Sequence, residues 1–70
     1  MLTAEQVLSH AQEFYGSPEN PQGGWPEEWA NEVRKNGDDW IVTICTECSI
    51  GVTTREVRMY ECNLRQAIKP

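Results

Sequence analysis

The first 33 residues of this 70-residue chain contain no lysine and no arginine, against six glutamates: Glu5, Glu13, Glu19, Glu27, Glu28 and Glu32. Phosphate backbones are bound by Lys and Arg, so this half offers nothing to nucleic acid directly. No apolar run approaches the roughly 18 residues of a membrane span, and the N-terminus has neither the basic nor the apolar segment of a secretory signal. The expected compartment is the cytoplasm. A Gly-rich nucleophile elbow, an oxyanion motif and the D-x-D-x-D-G calcium spacing are all missing. The expectation is therefore a non-enzymatic protein with no cofactor. Cysteine is sparse and odd in number, at three, whereas a secreted disulfide scaffold carries an even set. In a reducing cytosol these residues behave as small, semi-buried hydrophobes.

What is present points to a folded domain. Hydrophobic residues make up 39% of the chain and three are tryptophan, too apolar for a disordered acidic tail. Residues 1–70 form one small domain near the lower size limit for a single core, where net stability is about 3–5 kcal/mol. A partner or a second copy would add to that, and a homodimer is expected. Charge is divided along the chain: eight acids against two bases up to Asp39, then three acids against four bases from Trp40 onward. Such asymmetry speaks of partners and steering.

Thr3 to Tyr15 reads as an amphipathic helix, with Val7, Leu8, Ala11, Phe14 and Tyr15 on one face. Thr3-x-x-Gln6 is a capping box, Leu2 and Val7 are placed for a hydrophobic staple, and Gly16 is the stop. Gly16 to Gly24 is a loop. A second helix is expected from about Pro26 to Lys35: proline suits its first turn, Glu27 and Glu28 precede Arg34 and Lys35 in the sense of the helix dipole, and Trp25, Trp29 and Val33 fall at i, i+4 and i+8. Asn36-Gly37 ends it.

Trp40 to Cys48 alternates as a strand, with Trp40, Val42 and Ile44 on one face and Ile41, Thr43, Cys45 and Glu47 on the other. A return strand, roughly Thr53 to Cys62, follows. With Ile50-Gly51 as the loop, Ile44 faces Val57 and Val42 faces Met59. Asn63-x-x-Gln66 suggests a last helical turn. The expected fold is α+β: two N-terminal helices packed on an antiparallel hairpin, with a short helical tail.

Cys45-x-x-Cys48, with Cys62 and His10, is a nominal zinc set or a redox pair. A zinc knuckle needs both cysteines of a pair on one side of a turn, whereas strand residues three apart face opposite ways. The thiols are expected to be structural, and His10 a histidine at the helix boundary. Trp29 and Trp40 are expected in the core, while Trp25, after Gly23-Gly24, can serve as an exposed anchor.

The expected partner-binding surface is acidic, formed by Glu27, Glu28, Glu32, Asp38 and Asp39 with Trp25 beside it. Glu28 and Glu32 are a like-charge pair on the expected helix, and Asp38 lies beyond its C-terminus, where negative charge is unfavourable. A surface of this sign meets a basic groove and imitates the phosphate spacing of nucleic acid. The partner class is thus a basic, nucleic-acid-handling protein. In size and charge the chain is similar to the small acidic inhibitors of host defence carried by phages and mobile elements, the anti-CRISPR class among them, and no motif contributes to that likeness. The other readings are an adaptor docking through Trp25 or a sheet edge, and the zinc or redox module built on Cys45, Cys48 and Cys62.

Overall fold

Thr3 sets where the first helix begins. In the computed structural model, which describes residues 1–68, the Thr3 hydroxyl accepts the N–H of Gln6 at 3.2 Å, and the Gln6 side-chain oxygen accepts the N–H of Thr3 at 2.9 Å. This is the reciprocal cap read from the sequence, and α1 runs Ala4–Tyr15. Leu2 packs on the cluster that contains Val7. Gly16 ends the helix with φ of 88°, and a Cβ at that position would stand 2.5 Å from the backbone nitrogen of Gln22. Glycine is required there. The buried stripe is narrower than the sequence implied. Val7 and Ala11 are buried, Leu8 and Tyr15 border the core, and Phe14 is exposed, stacking edge-on against His10.

No second helix forms over residues 26–35. Glu27–Asn36 is instead a strand, β1, paired antiparallel with β2, Asp39–Cys48. Two features explain the difference. The register shifts between Ala30 and Glu32, so one extra residue, Asn31, enters as a bulge. The bulge turns Ala30 and Val33 to the same side and leaves Trp29 on the other, so the expected stripe of Trp25, Trp29 and Val33 does not form one face. The Asn36-Gly37 pair read as a helix stop opens a hairpin, in which Gly37-Asp38 is a two-residue loop closed by Asn36 opposite Asp39, and Gly37 takes a φ of 63°. Glycine at the first loop position suits a primed turn.

The third strand, β3 (Gly51–Met59), completes a sheet of order β1-β2-β3. Its register differs by two residues from the expected one: Val42 faces Val57 and Trp40 faces Met59, with Ser49-Ile50 as the loop. A shift of two keeps every side chain on its face, so Val42, Val57 and Met59 still share one side. The tail is longer than a single turn. It forms α2, Glu61–Ala67, capped at Tyr60 rather than Asn63.

Both helices lie on one side of the sheet. Ala11 of α1 packs with Ala30, Val42 and Ile44, and Leu64 of α2 packs with Val7 and Trp40. Trp40 is in the core as expected. Trp29 is not, because its partner Cys45 lies on the other side of the sheet, facing away from both helices. No helix among the described residues is long and apolar enough to cross a membrane.

Candidate functional site

Pairing fixes which carboxylates share a surface. Residues directly opposite in an antiparallel ladder point the same way. Glu28 sits opposite Thr46, and Ala30 opposite Ile44, so Glu28 faces the helix layer, where it meets Arg55 at 3.0 Å. Glu27 sits opposite Glu47 and Glu32 opposite Thr43, on the helix-free side. The expected single acidic face, conceived on a helix, is therefore divided between two sides of a strand. Asp38 is in the β1–β2 turn. Asp39 is occupied twice: one oxygen lies 3.4 Å from the Arg58 guanidinium, and the other accepts the N–H of Glu61 at 3.3 Å. It caps α2 in place of Tyr60, which supplies no side-chain cap. Trp25 stands 66% exposed in the loop before β1.

Cations are committed elsewhere. All five described lysines and arginines make ion pairs: Arg34 with Glu56 at 2.8 Å, Lys35 with Glu61 at 3.1 Å, Arg55 with Glu28, Arg58 with Asp39, and Arg65 with Glu61 at 2.9 Å. The Glu56 hydrogen bond and charge hold the Arg34 guanidinium pKa above its ordinary value, and Glu32 adds to this. Glu27 and Glu47 form no ion pair with Lys or Arg among the described residues, and Glu32, which forms none either, acts on Arg34 through its charge alone. All three lie on the helix-free face around half-buried Trp29, with Val52, 56% exposed, opposite Glu47.

Glu61 is the most perturbed carboxyl. It accepts from Trp40 Nε1 at 2.9 Å, from Lys35 Nζ and from Arg65. These bonds, that of Trp40 first, bring its pKa from 4.5 down to about 2. The Lys35 ammonium also lies 4.6 Å from the centre of the Trp40 ring. The cluster ties β1, β2 and α2 together and is structural in character.

The cysteines are dispersed. Cys45 is buried on the helix-free face opposite Thr54, Cys48 is half-buried at the β2–β3 turn, and Cys62 is exposed on α2. No group of three or more His, Cys, Asp or Glu side chains suited to a metal ion forms among the described residues. His10 Nδ1 lies 3.5 Å from Glu13, and the hollows that His10 lines include no cysteine.

Trp29 with Glu27, Glu32 and Glu47 is thus the grouping that sequence reasoning missed. The signal for Glu47 was present, since alternation along β2 already set it beside Cys45. The pairing with β1 that adds Trp29 and Glu27 was hidden by the misread helix. Chemically, a half-buried aromatic side chain with carboxylates on the same sheet face suits an ammonium or guanidinium group, through cation–π attraction and charge-assisted hydrogen bonds. No protein-family model matches the chain, and no curated protein or solved structure is similar to it at a significant level.

Proposed function

We propose that this chain is a non-enzymatic binding protein that lays the helix-free face of its sheet on a basic protein surface. The supporting observation is the contrast on that face: Glu27, Glu32 and Glu47 lie beside Trp29 without an ion pair to Lys or Arg among the described residues, while every described cation is already in one. A basic groove supplies the missing cations. Grooves of that kind are built to hold phosphates, so the favoured partner handles nucleic acid, and occupying its groove inhibits it. Such an action is that of the small acidic inhibitors used against host defence.

The test compares the wild-type protein with a Glu27→Lys, Glu32→Lys and Glu47→Lys triple variant as affinity baits in the organism that encodes them. The expected result is a partner with a nucleic-acid groove, retained by the wild type, lost by the variant, and released by added nucleic acid. Identical proteins on both baits, or partners without a basic surface, would overturn the reading. A second reading, an adaptor docking through Trp25, is favoured by that residue's exposure. It predicts loss of the partner on Trp25→Ala with no effect of the triple charge reversal.

A further inference from the structure

The two edges of the sheet are finished differently. The outer edge of β1 is covered by the preceding loop: Glu28 exchanges backbone hydrogen bonds with Gln22 at 2.7 and 3.0 Å, and Ala30 donates to the Gly16 carbonyl at 2.9 Å. Among the described residues β3 pairs with β2 alone. Its nine residues contain no proline and no bulge, two of the devices that blunt an exposed edge.

The orientation of its backbone follows from the ladder. Successive residues turn their N–H and C=O groups alternately to one neighbour and to the other. Glu28 and Ala30 turn theirs outward to the loop, so their partners Thr46 and Ile44 turn toward β3, and Thr53 and Arg55 turn back to meet them. Thr54, Glu56 and Arg58 are left with backbone groups pointing away from the sheet.

We propose that this edge pairs with β3 of a second copy, antiparallel about a two-fold axis at Val57, to make one continuous six-stranded sheet. A two-fold axis perpendicular to the sheet sets the residue on the axis against itself and keeps the helix sides together. With Val57 on the axis, Glu56 of each copy lies opposite Arg58 of the other, giving two opposite-charge pairs whose backbones both face the new ladder. An axis at Arg55 or at Glu56 would set that residue's charge against its own copy, which destabilises a sheet. An axis at Thr54 forms no opposite-charge pair, so charge favours the axis at Val57. Within each copy Glu56 already contacts Arg34 and Arg58 contacts Asp39, so the new pairs join two existing ones into a network across the axis. On the helix side, α1 packs mainly on β1 and β2, and β3 is only partly covered, with Val57 half-buried at the margin of the core. The pairing sets the two Val57 side chains against each other and shields both. The helix-free face stays open, so this assembly is independent of the basic partner proposed above.

Sedimentation of the full chain at high micromolar concentration should give twice the 8.0 kDa chain mass. Glu56→Arg or Arg58→Glu alone sets two like-charge pairs across the axis and should weaken association about tenfold. The double exchange E56R/R58E should recover it. The register has its own readout. In a C48S/C62S background, Val57→Cys should form a disulfide between copies under mild oxidation, because directly opposed strand residues fall within about 7 Å between Cα atoms, and Thr53→Cys should not. A monomer mass, a dimer indifferent to the single reversals, or cross-linking through position 53 instead of 57 would overturn the proposal. The triple reversal of Glu27, Glu32 and Glu47 should leave the dimer intact.

Discussion

β2 is buried on both of its faces, by two different means. On the helix side Trp40, Val42 and Ile44 are 6%, 0% and 0% exposed beneath α1 and α2. On the opposite side Ile41 and Cys45 are each 6% exposed with no helix over them among the described residues. Their cover comes from neighbouring strands: Trp29 and Thr54 flank Cys45, Arg34 and Arg58 flank Ile41, and the Arg34–Glu56 pair spans from β1 to β3. Long charged side chains shield apolar surface with their stems while their heads stay in water. One face is closed by matched shapes, the other by side chains that a partner can displace. The first should be sensitive to volume and the second to charge.

The largest expected effect tests that contrast with one chemical change made on each face. Ile44→Ala removes a fully buried side chain from beneath α1 and should cost about 2–5 kcal/mol, comparable with the roughly 3–5 kcal/mol net stability of a core this size. The variant should be largely unfolded at room temperature. Ile41→Ala should fall at or below the low end of that range, because the arginine stems over it can settle into the space and the cost depends on how far a site collapses. Circular dichroism with urea titration measures both. Equal losses would mean that the helix-free face is packed as tightly as the covered one.

Next in size is the acid limb of stability, which belongs to the covered face. The Glu61 carboxyl, held at about 2 against an ordinary 4.5, stabilises the folded state fully above pH 4.5. That contribution fades as the pH falls toward 2, where the folded protein must take up the proton. Glu61→Gln should lower stability at pH 7 and flatten the slope between those values. The loss should be seen first in α2, since Trp40, Lys35 and Arg65 all converge on this one group. A variant with the wild-type acid slope would assign that limb to other carboxylates.

What the sequence makes legible follows the range of the interactions involved. α1 was legible because its cap, staple and stop lie within 16 residues of sequence. The two faces of β2 were legible because alternation is local. β1 was not, since Trp25, Trp29 and Val33 fall four apart as on a helix although pairing puts Trp29 and Val33 on opposite sides of the sheet, and Asn36-Gly37 ends a helix as readily as it opens a hairpin. The β2–β3 register differed by two residues because hydrophobic patterning distinguishes odd shifts from even ones and cannot separate one even shift from another. For the site, the excess of carboxylates was plain from composition. Its distribution was not, because whether Glu28 and Glu32 share a face is decided by strand pairing, which brings together residues far apart in the chain.

Charge on the helix-free face should govern encounter with a partner more than folding. Glu32→Lys with Glu47→Lys should change the midpoint of urea unfolding little, since Glu32 and Glu47 are exposed and have no ion pair among the described residues. Against the proposed basic partner the same change should slow association and remove much of its salt dependence. Unchanged association rates for this variant would move the docking surface elsewhere, to Trp25 or the sheet edge.

The smallest effect bears on how the helix-free face is closed. The Arg34–Glu56 bond is short, at 2.8 Å, yet both side chains are more than half exposed, at 57% and 59%. Exposed pairs of this kind contribute about 0.2–1 kcal/mol in double-mutant cycles. A cycle of Arg34→Ala and Glu56→Ala, measured by urea unfolding at low micromolar concentration, should give a coupling in that range, shrinking as salt shortens the screening distance from about 10 Å at 0.1 M to about 3 Å at 1 M. The two single variants carry further information. If Arg34 acts mainly as a cover for Ile41, its replacement by alanine should cost more than that of Glu56, and the difference should persist at 1 M salt, because stem packing is not screened. Equal single losses that vanish together in salt would assign the pair a purely electrostatic role and leave Trp29 and Arg58 as the cover over that side of β2.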